Sequence, residues 1–75
     1  MRIEEFTMER NVLNEGDTVE ITEYKLPLAY YYVLEPAVAM SNNIPFDRRI
    51  HAKTGIVTKK TCLDGTYTLE VTLDE

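Results

Sequence analysis

The chain has 75 residues, a net charge of −5 and 44% hydrophobic residues. This length allows one small domain, 1–75, that buries roughly 60% of its unfolded surface. The one cysteine, Cys62, excludes an internal disulfide framework. No stretch approaches the roughly 20 apolar residues of a membrane span, and acidic residues follow Met1 where a signal peptide needs an apolar run. We therefore expect a cytoplasmic protein with no membrane partner.

Residues 1–23 contain one segment whose secondary structure the polarity pattern does not decide, followed by one predicted strand. In residues 1–13, Ile3 and Phe6 fit one face of a short helix, but Arg10 interrupts that face, so a strand or an irregular arm remains an alternative. Turn-forming residues follow at 14–17. Residues 18–23 then alternate in polarity, which predicts a strand with Val19 and Ile21 facing inward.

The middle of the chain is rich in β-forming residues and in turn signals. Tyr30–Leu34 predicts a strand with no polar face, which is typical of a strand buried on both sides or lying at a subunit contact. Residues 36–41 allow one helical turn, because proline is favourable at a first helical position, or extended backbone. Residues 42–45 predict a loop, and residues 49–52 a short strand.

A β-hairpin is predicted over residues 55–73. Asp64-Gly65 suits the two positive φ values of a type I′ turn, and apolar residues alternate with polar ones from 66 to 73. A two-residue loop pairs Lys59 with Glu70 but places Val57 on the solvent-exposed face of the hairpin. A three-residue loop with a bulge pairs Val57 with Val71 instead. We favour the two-residue loop with a bulge further along the strand.

These elements predict an all-β fold, and five short strands favour a small, partly open barrel over a flat sheet, because closure hides the strand edges. An OB-like fold or an open sheet stays the second alternative. Glu15-Gly-Asp-Thr-Val-Glu-Ile21 resembles the opening strand of SH3-like barrels. Lys53-Thr-Gly-Ile-Val57 and the turn and strand after it resemble a later hairpin of the same barrels, including KOW-type members. The resemblance covers about a third of the chain and implies a five-stranded SH3-like barrel. Residues 25–47 depart from it, so we transfer no functional residue.

Catalytic and metal-binding chemistry has few candidates. Cys62 and His51 are the only residues for a Cys/His pair, and a free cysteine is usually a small hydrophobe of the core or its rim. One histidine and one cysteine cannot supply the four ligands of a structural zinc site. We therefore expect no catalytic residue, cofactor or metal.

Two groups of residues are candidates for binding. Residues 48–60 carry five cations and no acid, which suits phosphates or an acidic partner, or a solvated face that balances the acidic first part of the chain. Two tyrosines offer rings for stacking on bases or for a proline-rich peptide, or else pack in the core beside a dimer contact. The candidates are Arg48, Arg49, His51, Lys53, Lys59, Lys60, Tyr30 and Tyr32.

The functional prediction is a non-enzymatic interaction or accessory module that acts through a protein partner or through itself, as a homodimer. The alternative is a nucleic-acid-binding module that uses residues 48–60. The overall acidity makes nucleic acid the less favoured partner, because distant phosphates respond to the whole field of the protein.

Overall fold

Six antiparallel strands form a closed barrel in a computed structural model that describes residues 2–75. The strands are β1 (Ile3–Met8), β2 (Thr18–Lys25), β3 (Tyr30–Leu34), β4 (Ala39–Ser41), β5 (Thr54–Leu63) and β6 (Thr66–Leu73), and a 3-10 turn spans Phe46–Arg48. Their order around the barrel is β1, β4, β3, β2, β5, β6, and β6 closes on β1. The fold class is therefore all-β, as predicted, with one strand more than expected.

The core is the inner row of the strands, because alternate residues of a strand point to opposite faces. Val19 and Ile21 of β2 face inward, which confirms the alternation predicted from the sequence. A single cluster fills the barrel, and its fully buried members are Tyr32, Phe6, Met8, Leu34, Leu69, Leu73, Val57 and Val71.

The C-terminal hairpin has the predicted loop and the predicted bulge. Asp64 and Gly65 have φ values of 52° and 80°, as a type I′ turn requires. Leu63 pairs with Thr66, and the register continues through Lys59 and Glu70 before it shifts between Val57 and Lys59. The shift lets Val57 pair with Val71 inside the barrel, so one bulge satisfies both patterns.

Residues 36–41 form neither a helical turn nor a continuous extended segment. Residues 35–38 make a tight turn in which Ala37 has a φ of 62°, a left-handed conformation that ends any right-handed helical turn. Ala39 and Ser41 then point into the barrel as part of β4. β4 pairs with both β1 and β3. The barrel has six strands because β1 and β4 are added to the predicted set and the strand predicted at residues 49–52 is absent.

The short strand predicted at residues 49–52 is also wrong, because side chains satisfy the backbone of this segment. The amide of Ile50 donates to the hydroxyl of Tyr32 at 2.9 Å. The amides of His51 and Ala52 donate to one carboxylate oxygen of Glu75 at 2.8 and 2.6 Å. Since these amides already have partners, the segment needs no ladder of strand hydrogen bonds.

Residues 3–8 form β1, which pairs with β6 and β4, so the helical interpretation of this segment is wrong. Phe6 and Met8 point into the core and Thr7 points outward, a spacing of two that suits a strand. In the described part of the chain, no helix is long and apolar enough to cross a membrane.

Candidate functional site

An open groove of about 640 Å³ crosses the outer surface of β2, β3 and β4. The rings of Tyr24 and Tyr31 stack at its side, with centroids 5.1 Å apart and planes 10° from parallel. Met40 contributes an exposed side chain from β4. The groove is lined by Thr7, Met8, Glu9, Arg10, Val12, Tyr24, Tyr31, Val33, Pro36, Ala37, Val38, Ala39 and Met40.

The apolar run in β3 supplies side chains to both the core and the groove. Tyr32 and Leu34 point into the core, so Tyr31 and Val33 must lie on the surface. A strand with an apolar row on each face buries one row in the barrel and leaves the other on the outer surface. Among the described residues that line the groove, only Glu9 and Arg10 carry charge.

A second, polar cluster joins β2, β3 and the segment before β5. Glu23 accepts two hydrogen bonds from the guanidinium of Arg49, at 2.8 and 2.9 Å, and one from the hydroxyl of Tyr32 at 2.7 Å. Such two-bond pairs between a guanidinium and a carboxylate fix both partners in orientation. This cluster and the groove have no described residue in common.

The ionisation of the cluster follows from these contacts. Hydrogen bonds from Arg49, reinforced by that from Tyr32, hold the pKa of Glu23 below its ordinary value, although burial opposes the shift. Burial, together with the hydrogen bond to Glu23, raises the pKa of Tyr32 to about 12. Glu23 is therefore ionised and Tyr32 neutral at pH 7, and the charge of Arg49 is balanced within the cluster.

The fold divides the predicted basic residues into two groups. Arg48, Arg49, His51 and Lys53 precede β5, whereas Lys59 and Lys60 lie well inside it, roughly 20 Å from Lys53 along an extended strand. Lys59 forms an exposed ion pair with Glu70 at 3.9 Å, the cross-strand pair that the register predicts. The basic residues therefore do not form one continuous face.

Lys60 connects the hairpin to the loop between β1 and β2. Its ammonium group donates hydrogen bonds to the side-chain oxygens of Asn11 and Asn14, the latter at 3.0 Å, and lies 5.2 Å from the ring centre of Tyr67. Its backbone amide donates to Glu15 at 3.1 Å. These contacts anchor the loop against β5.

The two candidate tyrosines face the core side of β3. Tyr32 is 1% exposed, so its ring is not available to stack on a base. Tyr30 is partly buried, with the ring of Phe46 edge-on at 5.2 Å and the guanidinium of Arg49 5.1 Å from its own ring centre. The aromatic pair on the outer face consists instead of Tyr24, which is exposed, and Tyr31, which is partly buried, as follows from the alternation within each strand.

The remaining chemical candidates lie apart. Cys62 is exposed near the tip of the hairpin, not buried in the core. His51 precedes β5, so roughly 25 Å of strand separates the two residues. Within residues 2–75, no group of three or more histidine, cysteine, aspartate or glutamate side chains is placed to hold a metal ion.

Comparison with protein-family models found no matching family, and searches of the curated proteins and of the solved structures found no match.

Proposed function

We propose that this protein is a non-enzymatic interaction module that binds another protein chain in its outer groove, and that the chain bound there is a second copy of itself. The observation that carries the proposal is the continuous apolar surface formed by Tyr24, Tyr31, Val33 and Met40 outside a barrel whose core is already complete. Contiguous exposed apolar surface of this kind marks protein contacts.

The charges at the groove favour a second copy as the occupant. Glu9 and Arg10 are neighbours, so the groove carries one charge of each sign beside an otherwise uncharged lining. In a two-fold dimer the same surface meets itself, and each residue can face its complement on the other copy. Glu9 of one copy would then meet Arg10 of the other, while the tyrosines and Met40 supply the apolar centre.

A matched pair of variants tests this proposal. Met40 in the groove and Ile56 on β5 are both 48% exposed. We expect wild type and Ile56→Glu to show the same concentration-dependent dimerisation in sedimentation velocity, and Met40→Glu to remain monomeric, because it buries a charge at the interface. A monomeric wild type at all concentrations up to the millimolar range, or equal dimerisation of both variants, would overturn the proposal.

We also propose that the barrel is SH3-like and the protein cytoplasmic. The Gly16-Asp17 turn that leads into β2, and the β5–β6 hairpin, support the first point. The exposed free thiol of Cys62 supports the second, because such a thiol persists best in a reducing compartment.

Nucleic-acid binding is the second candidate function, and one observation favours it. The guanidinium of Arg49 lies 5.1 Å from the ring centre of Tyr30, which the ring of Phe46 meets edge-on, and Lys53 lines the same polar pocket as Arg49. This combination suits phosphate contacts next to a stacking ring. The ion pair of Arg49 with Glu23 and the distance to Lys59 and Lys60 reduce the charge offered to phosphates, which makes this the weaker candidate.

The test is fluorescence-anisotropy binding of single-stranded RNA and DNA at low salt. We expect Lys53→Ala to weaken any binding and to reduce its salt dependence, and Arg10→Ala, which removes an exposed cation at the separate groove, to leave it unchanged. Absence of binding by wild type at low salt, or equal effects of the two variants, would reject this candidate.

A further inference from the structure

The side chain of Glu75 lies in a small site built from backbone amides and one guanidinium. One of its carboxylate oxygens, Oε1, accepts hydrogen bonds from the consecutive amides of His51 and Ala52, at 2.8 and 2.6 Å. Its other oxygen, Oε2, lies 3.6 Å from Nη1 of Arg2. Consecutive backbone amides that converge on one point form a nest, a recurrent binding geometry for anions.

The site is held in place by groups other than Glu75. Arg2 donates to the carbonyls of Arg48 and Arg49 at 2.6 and 3.2 Å and to the carboxylate of Glu4 at 2.7 Å, so its guanidinium is already oriented. Ile50 is anchored by its hydrogen bond to Tyr32. Because these contacts do not involve Glu75, the amides and the guanidinium remain positioned when that side chain leaves.

We propose that the amides of His51 and Ala52 and the guanidinium of Arg2 form a carboxylate-binding site, which Glu75 fills within the chain and which an aspartate or glutamate side chain of a protein partner fills when Glu75 is displaced. This site is separate from the groove, and the proposal does not depend on dimerisation.

The geometry suits a carboxylate, because each of the two oxygens has its own partner. A planar group with two oxygens places one on the amides and the other towards Arg2, as Glu75 does. Burial raises the pKa of Glu75, but the amides of Ala52 and His51 and the charges of Arg2 and His51 outweigh it and hold the pKa below its ordinary value. The site therefore favours the ionised acid.

Removal of the resident side chain tests the proposal directly. The probe is acetate, titrated while the amide signals of His51 and Ala52 are followed by NMR, with wild type, Glu75→Ala and Asp74→Ala compared. If the Glu75 side chain occupies the site in about nine-tenths of the molecules, its removal lowers the apparent dissociation constant for acetate about tenfold. We expect saturable shifts at both amides in Glu75→Ala, and weaker binding in wild type and in Asp74→Ala, which loses the neighbouring charge but keeps the contact.

Two further measurements make the result decisive. Arg2→Ala in the Glu75→Ala background should abolish the saturable shifts, and thermal unfolding of each variant checks that it is folded. An acidic peptide should displace acetate, whereas tighter binding of inorganic phosphate than of acetate would show a phosphate site instead and reject the carboxylate assignment. Folded Glu75→Ala protein without saturable shifts at these amides would overturn the proposal altogether.

Discussion

The hydroxyl of Tyr32 donates a hydrogen bond of 2.7 Å to Glu23, the residue directly opposite it in the β2–β3 register. The same hydroxyl accepts the amide of Ile50 at 2.9 Å, so one buried oxygen joins two strands to the irregular segment before β5. Both side chains belong to the inner row, and the glutamate reaches Arg49 where that row ends. This contact positions the segment before β5, which carries Arg49 and the two amides of the Glu75 site.

Removal of that hydroxyl should destabilise the barrel. Tyr32→Phe keeps the ring but leaves the amide of Ile50 without its acceptor, at a cost of about 1–3 kcal/mol in the free energy of unfolding. Tyr31→Phe, on the outer face of the same strand, should change it by less than about 0.5 kcal/mol. Urea unfolding of both variants measures the difference, and equal effects would show that the hydroxyl contributes nothing specific.

Because the Tyr32 hydroxyl is buried, we expect the free energy of unfolding to fall at alkaline pH. The pKa of Tyr32 is raised from 10.0 to about 12 by burial and by Glu23, so the folded state favours the neutral phenol. That contribution is fully present below pH 10 and is lost as the pH rises through about 12. Tyrosinate absorbance should show one ionisation near pH 12 that coincides with unfolding, and Tyr32→Phe should lack this step.

In acid, the stability should depend on Glu23. Its pKa is lowered from 4.5 by Arg49 and Tyr32, so its contribution is present above pH 4.5 and is lost as the pH falls through the lowered value. Thermal unfolding between neutral pH and strong acid should show a decline that Glu23→Gln reduces. Glu20→Gln, on the outer face of the same strand, serves as the control and should retain the wild-type decline.

Gly55 is required by a close approach of β5 to β6. A Cβ atom at this position would lie 2.7 Å from Cγ1 of Val71 and 2.9 Å from the carbonyl oxygen of Thr72. Gly55→Ala should therefore destabilise the protein by about 1–3 kcal/mol, because the strands must separate to accept the methyl group. Thr61→Ala, at an exposed position of β5, should stay within about 0.5 kcal/mol. Chemical unfolding compares the two, and a neutral Gly55→Ala would contradict the packing.

Several features followed from the amino-acid sequence alone, because each depends on neighbouring residues. The alternation around Val19 and Ile21 determined which side of β2 is buried, and Asp64-Gly65 determined the hairpin loop. The conflict between Lys59 and Val57 indicated the bulge that the shift in register confirms. Alternation also places Tyr31 on the face opposite to Tyr30 and Tyr32, and it places Glu23 in the inner row. The outer aromatic row and the position of Glu23 can therefore be predicted from the sequence.

Other features were decided only by tertiary contacts between residues far apart in the chain. Ala39 and Ser41 form a strand because β1 and β3 lie on either side of them, which no local pattern shows. Residues 49–52 are irregular because Tyr32 and Glu75, distant in sequence, satisfy their amides. Local polarity and turn chemistry thus determined β2, the hairpin and the face on which each side chain lies. Strand pairing and side-chain hydrogen bonds between distant residues determined β4 and the irregular course of residues 49–52, because such contacts leave no local pattern.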